Sequence, residues 1–161
     1  MSILAAMQSS PIGEWVRSSD YGYYILLAVH AIGMGIVVGT VMMLTIRVLG
    51  FAKDQPLLQY QTLFGVAWAG FFVNFASGAG LFMANGENLA KNVPFLLKIT
   101  FIVIGGVSQW LLWRTLMQER EIVVDANGPA SIKAKSIAIF TVSCWIFAIM
   151  AGRIIGYTID Y

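Results

Sequence analysis

The chain has 161 residues, of which 58% are hydrophobic and only 11% are charged, and its formal net charge is +2. Soluble domains carry about 25% charged residues, so this composition excludes an ordinary soluble domain and indicates an integral membrane protein. The small net charge gives no reason to expect a nucleic-acid partner, and the single cysteine, Cys144, excludes a disulfide within the chain.

The first 20 residues precede any long apolar run. They lack the basic region and apolar stretch of a cleavable signal peptide, so we expect the first membrane helix to target the chain. Ser10 and Pro11 are typical of a helix start, and Trp15 suits the lipid headgroup region. The sequence therefore predicts a short interfacial helix on the outer surface, ahead of the first span.

Four apolar segments follow, at about residues 23–46, 63–84, 94–117 and 137–157. Each exceeds the roughly 17 residues that a membrane-spanning helix needs. Backbone groups must pair internally in lipid, and short loops make neighbouring helices antiparallel. The predicted fold is an all-α integral membrane protein: one domain over residues 1–161, an antiparallel four-transmembrane-helix bundle in the bilayer of the bacterial inner membrane.

The placement of lysine and arginine predicts the orientation of the bundle, because basic residues concentrate on the cytoplasmic side. The loops after the first and third spans, with the adjoining span ends, hold six basic residues, and the opposite side holds four. The six are Arg47, Lys53, Arg114, Arg120, Lys133 and Lys135, and the four are Arg17, Lys91, Lys98 and Arg153. We therefore expect both termini in the periplasm.

His30 is the only histidine, and it lies inside a run without charged residues from Tyr21 to Ile46. An ionisable side chain at the centre of a span costs roughly 2.5–3.5 kcal/mol or more unless it has a partner, which marks such residues as functional. Neutral imidazole is the commonest metal ligand. The alternative is a hydrogen bond from His30 to a neighbouring helix, for example to Asn74 or to a backbone carbonyl.

Helical rise places other polar residues near the depth of His30. At 1.5 Å per residue, His30 lies roughly 10 Å below the outer end of its span, and Lys98 and Arg153 lie roughly 6 Å below the same surface. Asn74 and Ser77 fall at roughly 10–15 Å. Each span thus contributes a polar group to the outer half of the bilayer, although both cations are equally well placed to extend toward lipid phosphates.

One imidazole beside two cations suits a flat, anionic, metal-containing ligand, and heme b has this chemistry. His30 would ligate the iron, and Lys98 and Arg153 would pair with the propionates. Gly33, one turn from the imidazole, would leave room for the ligand. The iron would be five-coordinate, or Met150 or a neighbouring subunit would offer a second axial ligand. The predicted cofactor site comprises His30, Gly33, Asn74, Ser77, Lys98, Met150 and Arg153.

A second face of the first span carries Ala31, Gly35 and Gly39. Small residues at this spacing let another helix approach closely. The rival interpretation is that the chain is a non-catalytic accessory or scaffolding subunit of a larger membrane complex, or forms a homo-oligomer, and that His30 only joins helices.

The chain resembles a family of small four-helix bacterial inner-membrane proteins of unassigned activity over about residues 13–158. The matching residues are Arg17-Ser18, His30 with Gly33, Gly39, Arg47-Val-Leu-Gly50, Gly78-Ala-Gly80-Leu-Phe82, Asn92-Val-Pro-Phe95 with Lys98, and Gly152-Arg153-Ile-Ile-Gly-Tyr157. Family members often have Glu where this chain has Leu27 and Asp where it has Thr45, so a proton-relay role at these positions does not carry over.

The layout is also distantly similar to HemJ-type protoporphyrinogen oxidases and CopD-type copper proteins. The HemJ-type proteins have a heme-binding histidine in the first helix and an important lysine that opens the third, and His30 and Lys98 match these in kind and order. This resemblance implies heme b binding but not the oxidase activity. The leading hypothesis is a heme b membrane redox protein that passes electrons to quinone or to a periplasmic partner.

Overall fold

The computed structural model describes residues 3–51, 60–122 and 130–158. Nearly all of these residues are helical, and none of the described residues forms a strand. In chain order the helices are α1 (Ile3–Gln8), α2 (Pro11–Ser18), α3 (Gly22–Leu49), α4 (Tyr60–Lys91), α5 (Val93–Ile122) and α6 (Ile132–Thr158). The predicted all-α class is therefore confirmed.

The four long helices coincide with the four predicted spans. Each of α3 to α6 contains a window long and apolar enough to cross a membrane. The helices extend beyond the predicted spans at both ends, because hydropathy registers only the apolar middle of a helix. The end of α3 shows why the chain stops there: Gly50 adopts a left-handed backbone with φ of 98°, and its N–H donates to the carbonyl oxygen of Arg47. Glycine is the residue that most readily adopts this conformation.

The fourth helix is kinked near its end, a feature that the apolar pattern did not predict. Asn85 has φ −145° and ψ 40°, which interrupts the helix before its last turns. The Gln8 side chain from α1, with its amide oxygen turned toward α4, accepts hydrogen bonds from the N–H groups of Gly86 and Glu87 at 3.0 and 3.2 Å. Gln8 thus caps the helical segment that restarts after the kink.

The two short helices pack against the long ones. Both α1 and α2 contact α4, and α2 also contacts α3. Ser10 caps α2 by accepting a hydrogen bond from the N–H of Gly13 at 3.2 Å, as its position before Pro11 predicts. Val16 of α2 is fully buried. The predicted short helix is confirmed, whereas α1, which has six residues and no charged residue at either end, was missed.

The long helices associate mainly as α3 with α4, α5 with α6, and α3 with α6. The apolar core lies along these contacts in two groups. One surrounds Val37, Val38, Val41 and Trp145; the other comprises Leu44, Val48, Phe64, Leu112, Leu116, Ala134 and Ala138. The polar residues near His30 lie beyond the first group, at the end of the bundle where α3 begins.

Candidate functional site

The imidazole of His30 is held by α4. Its Nδ1 atom lies 2.9 Å from the carbonyl oxygen of Asn74 and 3.2 Å from Oγ of Ser77. A carbonyl oxygen only accepts hydrogen bonds, so Nδ1 carries the proton and donates it to Asn74. The lone pair of the neutral imidazole is therefore on Nε2, the atom that a metal would need.

Asn74 returns a hydrogen bond to the same residue. Its Nδ2 atom donates to the backbone carbonyl oxygen of His30 at 2.8 Å, and the Asn74 side chain is buried. This reciprocal pair joins α3 to α4. The interhelical hydrogen bond that the sequence offered as an alternative role for His30 is thus present.

The side chain of Lys98 contacts the other ring nitrogen of His30. Its Nζ atom, from the second turn of α5, is 3.1 Å from Nε2 of His30, so the ammonium donates to the imidazole lone pair. Over the described parts of the chain, no carboxylate forms an ion pair with this ammonium. The Lys98 ammonium and the single histidine are therefore in direct contact, as their predicted depths suggested.

The space beside Gly33 is filled by the backbone of α4. A Cβ atom on this glycine would lie 2.8 Å from the backbone nitrogen of Asn74 and 3.0 Å from the carbonyl oxygen of Gly70. The expectation that Gly33 leaves room for a flat ligand is therefore wrong. Gly33 and Gly70 instead let the two helix backbones touch, which brings Asn74 within reach of His30.

Two residues of the predicted site point elsewhere. The side chain of Met150 is 54% exposed and that of Arg153 is also exposed, both on α6. Depth along a helix does not determine how that helix is rotated about its axis. Depth alone therefore grouped Met150 and Arg153 with His30 although their side chains are exposed. The structure brings together five of the seven predicted residues: His30, Gly33, Asn74, Ser77 and Lys98.

Sequence reasoning missed the close contacts of two glycines with the site. A Cβ atom at Gly78 would lie 3.0 Å from Cε1 of His30, and one at Gly152 would lie 3.4 Å from the Lys98 stem. Both residues belong to the glycine motifs quoted for the family resemblance, which was the available signal. Their positions next to the imidazole and the lysine required the three-dimensional arrangement.

Two side chains at this site have donor groups suited to heme b, although the space beside Gly33 is filled. No three His, Cys, Asp or Glu side chains of the described ranges group as ligands of a metal ion. Heme needs a single axial histidine, and an Nδ1–H group bonded to a carbonyl is the usual support for a metal-binding Nε2. His30 meets that condition, and Lys98 supplies a cation suited to a propionate.

No protein-family model matches the chain, and neither the curated proteins nor the solved structures contain a significant match.

Replacing Asn74 with leucine should weaken the association of α3 with α4. The change removes the hydrogen bond to the His30 carbonyl, and such interhelical bonds contribute roughly 0.6–1.7 kcal/mol. Unfolding of the purified protein in detergent should show this loss of stability. Val73→Leu, at the neighbouring exposed position on α4, should unfold like the wild type. Equal stability of Asn74→Leu and Val73→Leu would contradict a role for the bond.

Proposed function

We propose that the chain spans the bacterial inner membrane four times as an antiparallel bundle, with both termini in the periplasm. Contacts between helices support the antiparallel arrangement, since residue numbers rise along one helix as they fall along the other. The pairs on α3 and α4 are Leu26–Gly80, His30–Gly78 and Ile36–Gly70, and those on α5 and α6 are Lys98–Gly152, Gly105–Trp145 and Ser108–Thr141. Large apolar side chains exposed along all four helices suit contact with lipid.

Cysteine labelling in intact cells should confirm the orientation. In a Cys144→Ala background, Ser9→Cys should react with a membrane-impermeant thiol reagent, and Gln118→Cys should react only after the membrane is opened. Both positions are exposed in the structure. Labelling of Gln118→Cys alone in intact cells would reverse the assignment.

We further propose that the protein binds heme b in the outer half of the membrane through His30 and Lys98. The observation that carries this proposal is the state of the imidazole: Nδ1 is committed to Asn74, and Nε2 keeps its lone pair beside a cation that has no carboxylate partner within the described residues. Nε2 would ligate the iron, and the Lys98 ammonium would pair with a propionate.

In this proposal Lys98 exchanges one acceptor for another. In the structure its ammonium donates to Nε2 of His30. A carboxylate is a stronger acceptor than a neutral nitrogen, because the hydrogen bond is charge-assisted on both sides. The flexible lysine stem lets Nζ move to such a group, which frees Nε2. Asn74 meanwhile keeps the imidazole in place from α4.

Bound heme b would supply a one-electron redox couple, which fits transfer of electrons to quinone or to a periplasmic partner. Absorbance spectra of the purified protein, before and after dithionite, test the proposal. A Soret band that shifts on reduction, with the sharp visible bands of reduced heme b, supports it. A colourless, folded protein that also fails to take up added hemin would overturn it.

A second candidate function is that of an accessory or scaffolding subunit of a membrane complex. Two observations favour it: the reciprocal His30–Asn74 bonds already give the histidine a structural role, and Gly35 and Gly39 face no atom within 4 Å among the described residues. That open face would accept a helix from another subunit. A colourless protein that copurifies as a defined assembly would favour this function over heme binding.

A further inference from the structure

Gly152 lies on α6 directly against the side chain of Lys98. If this glycine carried a Cβ atom, its three nearest neighbours would be Cδ, Cε and Nζ of Lys98, each at 3.4 Å. Gly156, one turn farther along α6, faces no atom of the described residues within 4 Å. The volume that a side chain at position 152 would need is therefore taken by the lysine.

The path of Lys98 across this glycine is unusual for a lysine near the end of a membrane helix. Such side chains ordinarily extend toward the lipid headgroups. Here the stem crosses α6 at Gly152, and Nζ ends 3.1 Å from Nε2 of His30. The atoms nearest to a Cβ at position 152 all belong to this flexible side chain, so we expect a bulky residue there to displace the lysine first.

We propose that Gly152 is a positioning residue: the gap that it leaves on α6 holds the Lys98 ammonium on Nε2 of His30. The inference rests on the proposed function only in taking the His30–Lys98 pair as the ligand site, since the contact itself lies within the chain. In the heme-free protein, Gly152 thereby sets the position of the Lys98 ammonium.

Selective labelling of the single histidine makes this contact measurable. In the full-length, heme-free protein with a histidine-free purification tag, ¹⁵N-histidine gives one Nδ1 and one Nε2 resonance. Lys98→Met removes the donor to Nε2 and should move that resonance toward the position of a free lone pair. Gly152→Leu should move it to the same position although the lysine is still present.

Two further variants separate positioning from general damage. Gly152→Ala should leave the Nε2 resonance unchanged, because a Cβ at 3.4 Å from the stem is an ordinary contact. Gly156→Leu places the same bulk on the same helix away from Lys98 and should also leave it unchanged. The Nδ1 resonance, which reports the bond to Asn74, should be constant in all four variants.

An Nε2 resonance that moves in Lys98→Met but not in Gly152→Leu would overturn the proposal, and so would one that moves in neither. If Gly152→Leu also loses the Nδ1 signal, that variant is misfolded. Gly152→Val then replaces it, because valine places a smaller side chain against the same stem. Its Nε2 resonance should move as in Lys98→Met, and an unmoved resonance would overturn the proposal. The absorbance test of heme binding is separate, so either proposal can fail while the other stands.

Discussion

Replacing His30 with alanine should abolish the proposed binding of heme b while the four long helices still form. The alanine side chain has no lone pair for iron, and membrane insertion depends on the hydrophobicity of the spans. The protein should lose its Soret absorbance completely, with membrane-fraction yield close to that of the wild type. Heme content by pyridine hemochrome and yield by immunoblot measure the two effects.

Replacing His30 with glutamine separates ligation from helix joining. A glutamine amide can donate to the carbonyl oxygen of Asn74, 2.9 Å from the present Nδ1, but is a poor iron ligand. We expect a colourless protein whose stability lies between those of the wild type and His30→Ala. Met150→Leu is the matched control, because this apolar side chain is exposed, and it should retain the proposed heme. Full heme content in both His30 variants would contradict ligation by His30.

Replacing Gly33 with alanine should destabilise the bundle more than the same change at any other glycine of α3. The new Cβ would lie 2.8 Å from a backbone nitrogen and 3.0 Å from a backbone oxygen of α4, and backbone atoms cannot turn aside as a side chain can. Overpacking of this kind costs about 1–3 kcal/mol. The helices must separate, which also pulls Asn74 from His30, so heme affinity should fall with stability.

The control for Gly33 lies half a turn away. Gly35 on the same helix faces no described atom within 4 Å, so Gly35→Ala should leave thermal unfolding in detergent unchanged or slightly raise its midpoint, since alanine favours helix over glycine. Similar unfolding midpoints for Gly33→Ala and Gly35→Ala would contradict the close approach of α3 and α4. A lower unfolding midpoint for Gly35→Ala, without one for Gly33→Ala, would indicate that the face of α3 carrying Gly35 packs against another subunit.

The apolar pattern predicted the number and approximate position of the long helices because bilayer thickness sets a minimum length for each span. It did not predict the kink at Asn85, because an apolar pattern carries no information on the backbone angles of a single residue. The short α1 was missed for a related reason: six residues without capping signals form a helix only where other helices support them.

The candidate site around His30 could likewise be predicted only in part from the sequence. Depth along each span placed Asn74, Ser77 and Lys98 near His30, since rise per residue is fixed in a helix, but it placed Met150 and Arg153 there as well. Rotation about the helix axis is set by packing, and α6 turns Arg153 outward while it presents Gly152 to Lys98. The expectation for Gly33 was wrong because the sequence does not show which neighbour occupies the space beside a glycine.

The cap that Gln8 provides to the last turns of α4 has a consequence for biogenesis. The residues of α1 leave the ribosome long before α4, against which they pack, is synthesised, so the main contact surface of α1 is absent while α3 is being made. Docking of α1, and with it the cap that Gln8 provides, is therefore a late step of assembly that follows synthesis of the second long helix.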